Sequence, residues 1–118
     1  MKAELKYLHS PDIMDLEKYV PPIKDEFNFL LQVIVGPEGT DGEESFDLQV
    51  CTPKWLLNNF DENKILFGYH RLLVFKYDFK GMKQKIEKFI EEITAPNWNE
   101  LAQKISLIGR WEFDNYHS

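Results

Sequence analysis

The chain has 118 residues, of which 43% are hydrophobic and 14% aromatic, which is enough for the core of a single domain over residues 1–118. This apolar content, with a net charge of only −6, excludes an intrinsically disordered chain. The single cysteine excludes an intrachain disulfide, and no apolar run is long enough to span a bilayer, so we expect a soluble, cytoplasmic protein without a membrane partner.

The N-terminal part predicts a strand followed by a short helix. Lys2–His9 alternates polar and apolar residues, which places Ala3, Leu5 and Tyr7 on one face. Ser10-Pro11 matches the N-cap and first position of a helix, which the prolines after Val20 would end. This helix would carry three apolar residues, Ile13, Leu16 and Tyr19.

The next part predicts two antiparallel strands. Glu26–Val35 has apolar residues on both faces, so we expect a central strand. Glu44–Cys51 alternates, with Phe46 among the inward residues and Asp47 among the outward ones. The connection Gly36–Glu43 is too short for a parallel crossover, so the two strands should form a hairpin.

The second half predicts mainly helices. Thr52-Pro53 opens a helix, Ile65–Phe67 and Leu72–Phe79 read as strands, and Lys80–Thr94 is an amphipathic helix. A further helix begins after the Asn97 cap, and the remaining signals are a C-cap at Gly109 and a short extended segment in Arg110–Tyr116. Together these elements predict an α+β fold, a mostly antiparallel sheet of about four to five strands with two to four helices packed on it.

The negative charge is concentrated in one segment. Seven of the 20 acidic residues and none of the 14 basic residues lie between Asp25 and Pro53, so the rest of the chain is nearly neutral. Such an acidic field opposes nucleic-acid binding and attracts a basic partner.

No pattern for a metal or a phosphate is present. Gly36, Gly39 and Gly42 are interspersed with carboxylates, which would repel a phosphate, and no lysine–threonine or lysine–serine pair follows them, so we interpret them as turn residues. The acidic residues lack the twelve-residue calcium-loop pattern. The histidines, His9, His70 and His117, do not have the spacing of zinc ligands.

Three other features have a functional and a structural interpretation. Cys51 precedes a predicted helix and could be a nucleophile, but a buried small side chain is the ordinary alternative. The basic strip that includes Lys83 and Lys88 is either a solvated face with Lys83–Glu87 and Lys88–Glu92 pairs or a surface for an acidic partner. Trp111, like the other tryptophans, is either a core residue or an interface anchor.

Four stretches carry a resemblance to a known family: "MKAELKYLHSPDI", "YVPP…FNFLLQVIVGPEG", "ESFDLQVCTPKWL" and "IGRWEFDNY". Over Met1–Tyr116 the chain resembles immunity protein family eight of bacterial polymorphic toxin systems. The resemblance implies a cytoplasmic protein that binds and blocks a cognate secreted toxin, often of the contact-dependent growth inhibition type. It implies no enzymatic activity and no cofactor, and it supplies no motif for binding residues.

The charge pattern then suggests where a toxin would bind. Many delivered toxins are nucleases, so an acidic surface could occupy a site that is built for a polyanion. The toxin-binding residues inferred in this way are Glu38, Asp41, Glu43, Glu44 and Asp47, and a possible secondary interface comprises Lys83, Lys88 and Trp111. Two alternatives remain open: an adaptor or regulatory module with a different protein partner, and a small enzyme that uses Cys51 or His70.

Overall fold

A computed structural model describes residues 1–113. It is an α+β fold with a five-stranded, mostly antiparallel sheet, which confirms the predicted fold class. The elements in chain order are β1 (Ala3–His9), β2 (Asn28–Pro37), β3 (Glu44–Cys51), α1 (Pro53–Asn59), β4 (Arg71–Leu73), α2 (Phe79–Glu92), α3 (Trp98–Ile105) and β5 (Arg110–Trp111).

β2 is a central strand, as predicted, because it pairs antiparallel with β1 on one side and with β3 on the other. Alternate residues of β2 and β3 point to one face, where the two helices α2 and α3 cover them. We call this the inner face, and its buried β2 and β3 residues are Phe29, Leu31, Val33, Val35, Phe46, Leu48 and Val50. On the outer face of β2 and β3, Ile34, Gly36 and Cys51 are buried, Asn28 is exposed and the remaining residues are half-buried.

The second edge of β3 is shared by two short strands. β5 pairs antiparallel with the start of β3, at Phe46 and Asp47, and β4 pairs parallel with its end, from Gln49 to Cys51. Leu48 therefore lies between the two strands, with no Cα partner from either of them. This gap leaves room for a cleft at the junction of β3, β4 and β5.

Local sequence signals explain why α2 and α3 form where they do. The Asp78 carboxylate accepts from the Gly81 N–H at the start of α2, and the Asn97 side chain accepts from the Glu100 N–H at the start of α3. Each helix then buries one stripe, Met82, Ile86 and Ile90 in α2 and Leu101, Ala102 and Ile105 in α3.

The helix predicted after Ser10-Pro11 is wrong, because this stretch consists of bends and turns. Short side chains hydrogen-bond the nearby backbone instead: the Ser10 hydroxyl accepts from the Asp12 N–H, and the Asp15 carboxylate accepts from Glu17 and Lys18. The apolar residues of the stretch are nevertheless found in the core, where Ile13 and Leu16 are buried.

The face predicted for β1 is also wrong in part. The register with β2 shifts between Leu5 and Tyr7, which marks a bulge in the strand. Beyond the bulge, Tyr7 is about half exposed and Leu8 packs against the core instead.

The strands predicted in the second half are shorter than their apolar pattern. Ile65–Phe67 forms no strand, and of Leu72–Phe79 only the beginning pairs, as part of β4. The partner strand is the reason, because β3 ends at Cys51, whose carbonyl accepts the last bond from Val74. Beyond that point no described strand is available for pairing.

The predicted C-cap at Gly109 is wrong as well, since α3 ends at Ile105 with Ser106 as its cap. A Cβ atom at Gly109 would lie 3.1 Å from the backbone and side chain of Phe46, so this glycine permits close packing on β3. The predicted final extended segment is confirmed as β5, and its continuation through Tyr116 lies outside the described residues.

Candidate functional site

The connection between β2 and β3 forms a loop with a well-bonded backbone. We call residues Gly36–Asp47 the acidic hairpin. The N–H of Glu38 donates to the Lys2 carbonyl at 2.9 Å, and the N–H of Gly39 donates to the Glu4 carboxylate at 3.2 Å. Gly39 has a φ of +76°, a conformation that glycine adopts without strain.

The acidic hairpin also folds back on itself. Thr40 donates through its N–H and its hydroxyl to the Pro37 carbonyl, and its Oγ1 accepts from the Gly42 N–H at 3.3 Å. A Cβ atom at Gly36 would overlap the Gly42 carbonyl oxygen. The backbone at Gly36 and at Gly42 therefore approaches more closely than a larger residue at position 36 would permit. The loop therefore holds its charged side chains on a defined backbone.

The structure separates the five predicted acidic residues into two sets. Glu38, Asp41 and Glu43 are exposed at the tip of the hairpin. Glu44 and Asp47 are half-buried: Glu44 accepts a hydrogen bond from the Trp111 indole at 3.2 Å, and Asp47 accepts from the Ser45 hydroxyl at 2.7 Å. Three carboxylates are thus exposed together at the tip, whereas the other two are half-buried beside it.

Tyr7 adds an aromatic side chain beside this tip. Its hydroxyl donates to the Glu43 carboxylate at 3.3 Å, and the charge of Glu43 raises the pKa of Tyr7. Sequence reasoning missed Tyr7, because only the β1–β2 pairing brings the first strand to the end of the hairpin.

The same pairing supplies a cation that the linear charge pattern does not show. The Lys6 ammonium donates to the Glu4 carboxylate and to the Thr40 carbonyl, both at 2.5 Å. The hydrogen bond from Lys6 lowers the pKa of Glu4, and the N–H of Gly39 acts in the same direction. The acidic hairpin is therefore less one-sided in charge than the segment between Asp25 and Pro53 suggests.

The secondary interface residues occupy different environments. Lys83 and Lys88 are exposed on α2, and neither predicted pair with Glu87 or Glu92 lies within 4.0 Å, since the two ion pairs among residues 1–113 are formed elsewhere. Trp111 is buried, with its ring stacked on Phe46 at a centroid distance of 6.2 Å. The lysines are therefore open to a partner, whereas the Trp111 indole belongs to the core.

Cys51 has the properties of a core residue. It is fully buried at the end of β3, and burial raises the pKa of its thiol, although the charge of Arg71 acts in the opposite direction. A thiol with a raised pKa is a poor nucleophile at neutral pH.

The two described histidines make local hydrogen bonds in separate places. His9 Nδ1 lies 2.8 Å from Gln32 Oε1, and His70 Nε2 lies 2.8 Å from the Ser106 carbonyl. His117 lies outside the described residues. Over residues 1–113, no group of three or more His, Cys, Asp and Glu side chains is placed to hold a metal ion.

Sequence reasoning missed an exposed apolar stretch, residues 65–75, which we call the apolar segment. Its pattern predicts two strands, but only Arg71–Leu73 pairs, as β4, and most of its large apolar side chains project into solvent. The largest exposed fractions are those of Ile65 (93%), Phe67 (84%), Phe75 (79%), Tyr69 (75%) and Leu73 (53%). The signal in the sequence is the run of large apolar residues itself. A buried strand has the same pattern, so the sequence does not show that these side chains are exposed.

Two adjoining clefts lie between this segment and α2. The first has a volume of about 260 Å³ and is lined by Leu72, Phe89 and Leu107 among others. The second has a volume of about 430 Å³, and Leu72 and Phe75 are part of its lining. Because Leu72 and Lys85 line both, we treat the clefts together as the β4–α2 groove.

These features define a small α+β protein that presents two contrasting surfaces, the acidic hairpin and the apolar segment with its groove. In the part of the chain that the structure describes, no helix is both long and apolar enough to cross a bilayer.

Residues 3–116 match the family model described as Immunity protein 8, and the chain therefore belongs to that family. No curated protein and no solved structure matches the chain. Membership of an immunity protein family implies, in general, a toxin as partner.

Proposed function

We propose that this immunity protein binds the toxin domain made by the same bacterium, a nuclease, and neutralises it by covering its active site with the acidic hairpin. The observation that carries the proposal is the exposed set of Glu38, Asp41 and Glu43 on a loop whose backbone is hydrogen-bonded. A nuclease site is cationic because it binds a polyanion, and carboxylates at its mouth would exclude the substrate electrostatically.

The hydrogen bonds of the acidic hairpin favour tight binding for a second reason. A loop that is already ordered loses little conformational entropy when a partner contacts it. Glu44 and Asp47, which stand half-buried beside the tip, would add to the negative potential with less direct contact. The hairpin therefore combines long-range attraction with a surface of fixed shape.

The proposed mode of action is stoichiometric inhibition in the cytoplasm of the cell that produces the toxin, within a contact-dependent growth inhibition system. The protein would need neither a cofactor nor a reaction of its own. It would act by forming a complex with the toxin whose lifetime exceeds that of the toxin's complexes with nucleic acid.

The proposal is tested with the toxin domain encoded beside this gene, by co-purification and by a nuclease assay with and without this protein. The sharper test is a triple variant, Glu38→Lys, Asp41→Lys and Glu43→Lys. We expect its association rate to fall by about tenfold or more at low salt, and the salt dependence of that rate to weaken.

A matched control carries the same change of net charge elsewhere. Glu17→Lys, Glu62→Lys and Glu91→Lys alter three exposed acidic residues away from the hairpin. If both triple variants lose association rate equally, net charge rather than the hairpin attracts the toxin. If the unaltered protein fails to bind the toxin domain, the proposed function itself is wrong.

A further inference from the structure

The apolar segment exposes five large hydrophobic side chains within eleven residues of the chain. Its five most exposed side chains together present an area on the order of 700 Å², from the usual size of such residues and their exposed fractions. The largest apolar patch of a typical monomer is about 300–600 Å², whereas one side of a standard protein interface is about 800 Å². The area is thus of the size that a protein partner covers.

The patch is continuous with the β4–α2 groove. Phe67 and Tyr69 stack with ring centroids 5.7 Å apart, and Tyr69 lines the first cleft together with Leu107. Leu72 and Phe75 carry the apolar surface on into the second cleft. A partner could therefore follow the chain from Tyr69 to Phe75 across both clefts.

β4 also offers unpaired backbone groups. Among the described strands it is the last at its side of the sheet, and its bonds to β3 include Gln49 N–H to the His70 carbonyl at 2.9 Å and Val74 N–H to the Cys51 carbonyl at 3.0 Å. In a parallel ladder alternate residues face the neighbouring strand, so the N–H and C=O of Arg71 and Leu73 face away from it. Such an open edge is suited to strand addition.

The charges around the groove indicate what it would accept. Lys85 lines both clefts, and no carboxylate among the described residues lies within 4.0 Å of its ammonium. Arg71 lines the first cleft and Lys76 the second. The Asp78 carboxylate in the lining of the second cleft is engaged with the Gly81 N–H at 3.0 Å.

These cations favour an acidic partner over a second copy of this chain. A symmetric dimer through β4 would bring Arg71, Lys76 and Lys85 towards the same residues of the other copy, and like charges at an interface are unfavourable. A segment with apolar residues and a carboxylate would instead match both the clefts and the charge.

We infer that the β4–α2 groove binds an extended, acidic and apolar segment of the toxin domain, which adds to β4 as a further strand and places a carboxylate on Lys85. This inference rests on the proposed function and adds a second contact to the acidic hairpin. Long-range charge at the hairpin accelerates association, whereas burial of apolar side chains in the groove slows dissociation.

Three single variants test the groove, with binding kinetics to the toxin domain encoded beside this gene as the measurement. Phe75→Ser removes an exposed apolar side chain, and Lys85→Glu reverses the charge between the clefts. Leu73→Pro removes one outward N–H without removing a bond to β3. We expect each variant to raise the dissociation rate by about tenfold or more and to change the association rate little.

Lys18→Glu is the matched control for Lys85→Glu, because Lys18 is exposed and lines neither cleft. It makes the same charge change outside the groove, and we expect it to leave the dissociation rate unaltered. Circular dichroism and the thermal unfolding midpoint establish that each variant is folded. Amide hydrogen exchange of the complex should show protection of Arg71 and Leu73.

Three outcomes would overturn the inference. One is that this protein binds the toxin domain but none of the groove variants changes the dissociation rate. That result would overturn the groove contact and leave the proposed function intact. Another is a free protein that is dimeric by light scattering and becomes monomeric in Leu73→Pro, since a second copy would then occupy the groove. The third is failure of the unaltered protein to bind the toxin domain, which removes the proposed function as well.

Discussion

The acidic hairpin and the apolar segment are both connections at the surface, yet they are built in opposite ways. In the hairpin, hydrogen bonds from Glu38, Gly39 and Thr40 hold the backbone, and three of the five carboxylates are exposed at its tip. In the apolar segment only Arg71–Leu73 belongs to a strand, and large apolar side chains are in solvent instead.

This difference shows which property each surface contributes to recognition. Exposed charge acts over several ångströms and is screened by salt, so it affects how often two proteins meet. Exposed apolar area acts only on contact, so it affects how long they stay together. A protein that must capture a toxin quickly and hold it would need both.

The largest expected difference between the two regions is in the free energy of unfolding, when a glycine in each region is replaced by alanine. The two substitutions are Gly36→Ala in the hairpin and Gly68→Ala in the apolar segment. A Cβ atom at Gly36 would overlap the Gly42 carbonyl, whereas one at Gly68 would meet nothing within 4 Å. We expect Gly36→Ala to lower the free energy of unfolding by about 1–3 kcal/mol. Gly68→Ala should leave it unchanged or raise it by up to about 1 kcal/mol.

Thermal or urea unfolding measures both values. Equal destabilisation by the two substitutions would show that the hairpin is no more closely constrained than the apolar segment, and the contrast between the regions would be lost.

A smaller effect is expected at Tyr77, which anchors the chain just after the apolar segment. Its hydroxyl donates to the Leu16 carbonyl, and burial, with smaller effects of Tyr19 and Asp15, raises its pKa from the usual 10.0 to about 12. Tyr77→Phe removes this bond, so we expect a loss of about 1 kcal/mol at pH 7. Hydrogen exchange should quicken in the apolar segment and not in the hairpin.

The same variant has an expected pH dependence. Between about pH 10 and 12 the unfolded chain releases the Tyr77 proton while the folded protein retains it, so folding stability falls as pH rises through this window. Tyr77→Phe has no such proton, so its stability deficit relative to the unaltered protein should shrink at alkaline pH. A deficit that is constant from pH 8 to alkaline pH would contradict the raised pKa.

The smallest effect is expected at Lys6, the cation beside the acidic hairpin. Lys6→Met retains much of the apolar stem but removes the charge next to Glu4 and Thr40. If the hairpin steers the toxin, the association rate at low salt should rise by about twofold. Lys18→Met, an exposed site outside the hairpin, makes the same charge change and should have less effect. A lower association rate for Lys6→Met would mean that the hydrogen bonds of Lys6 to the loop affect binding more than its positive charge does.

Much of the fold could be predicted because some patterns are local. The predicted caps of α1 and α3, Thr52 and Asn97, each accept from the N–H group three residues further along the chain. The alternation in β2 and β3, together with their short connection, likewise fixes an antiparallel pair. Of the candidate site, the run of acidic residues without a lysine or arginine located the carboxylates that the structure exposes at the hairpin tip.

The remaining features depend on which segments meet. Whether Leu72–Phe79 forms a strand depends on the length of β3, and whether Trp111 is exposed depends on its packing against Phe46. The cation of Lys6 reaches the hairpin only through the β1–β2 pairing. None of these contacts has a counterpart in local sequence spacing.

The sequence by itself determined the α+β class and the hairpin, because caps, alternation and turn residues act between neighbours along the chain, and its match over residues 3–116 determined the family. The tertiary structure alone decided that the apolar segment is exposed, that two of the five acidic residues are half-buried and that a groove runs beside β4. Burial depends on what packs against a residue, and that partner comes from a distant part of the chain.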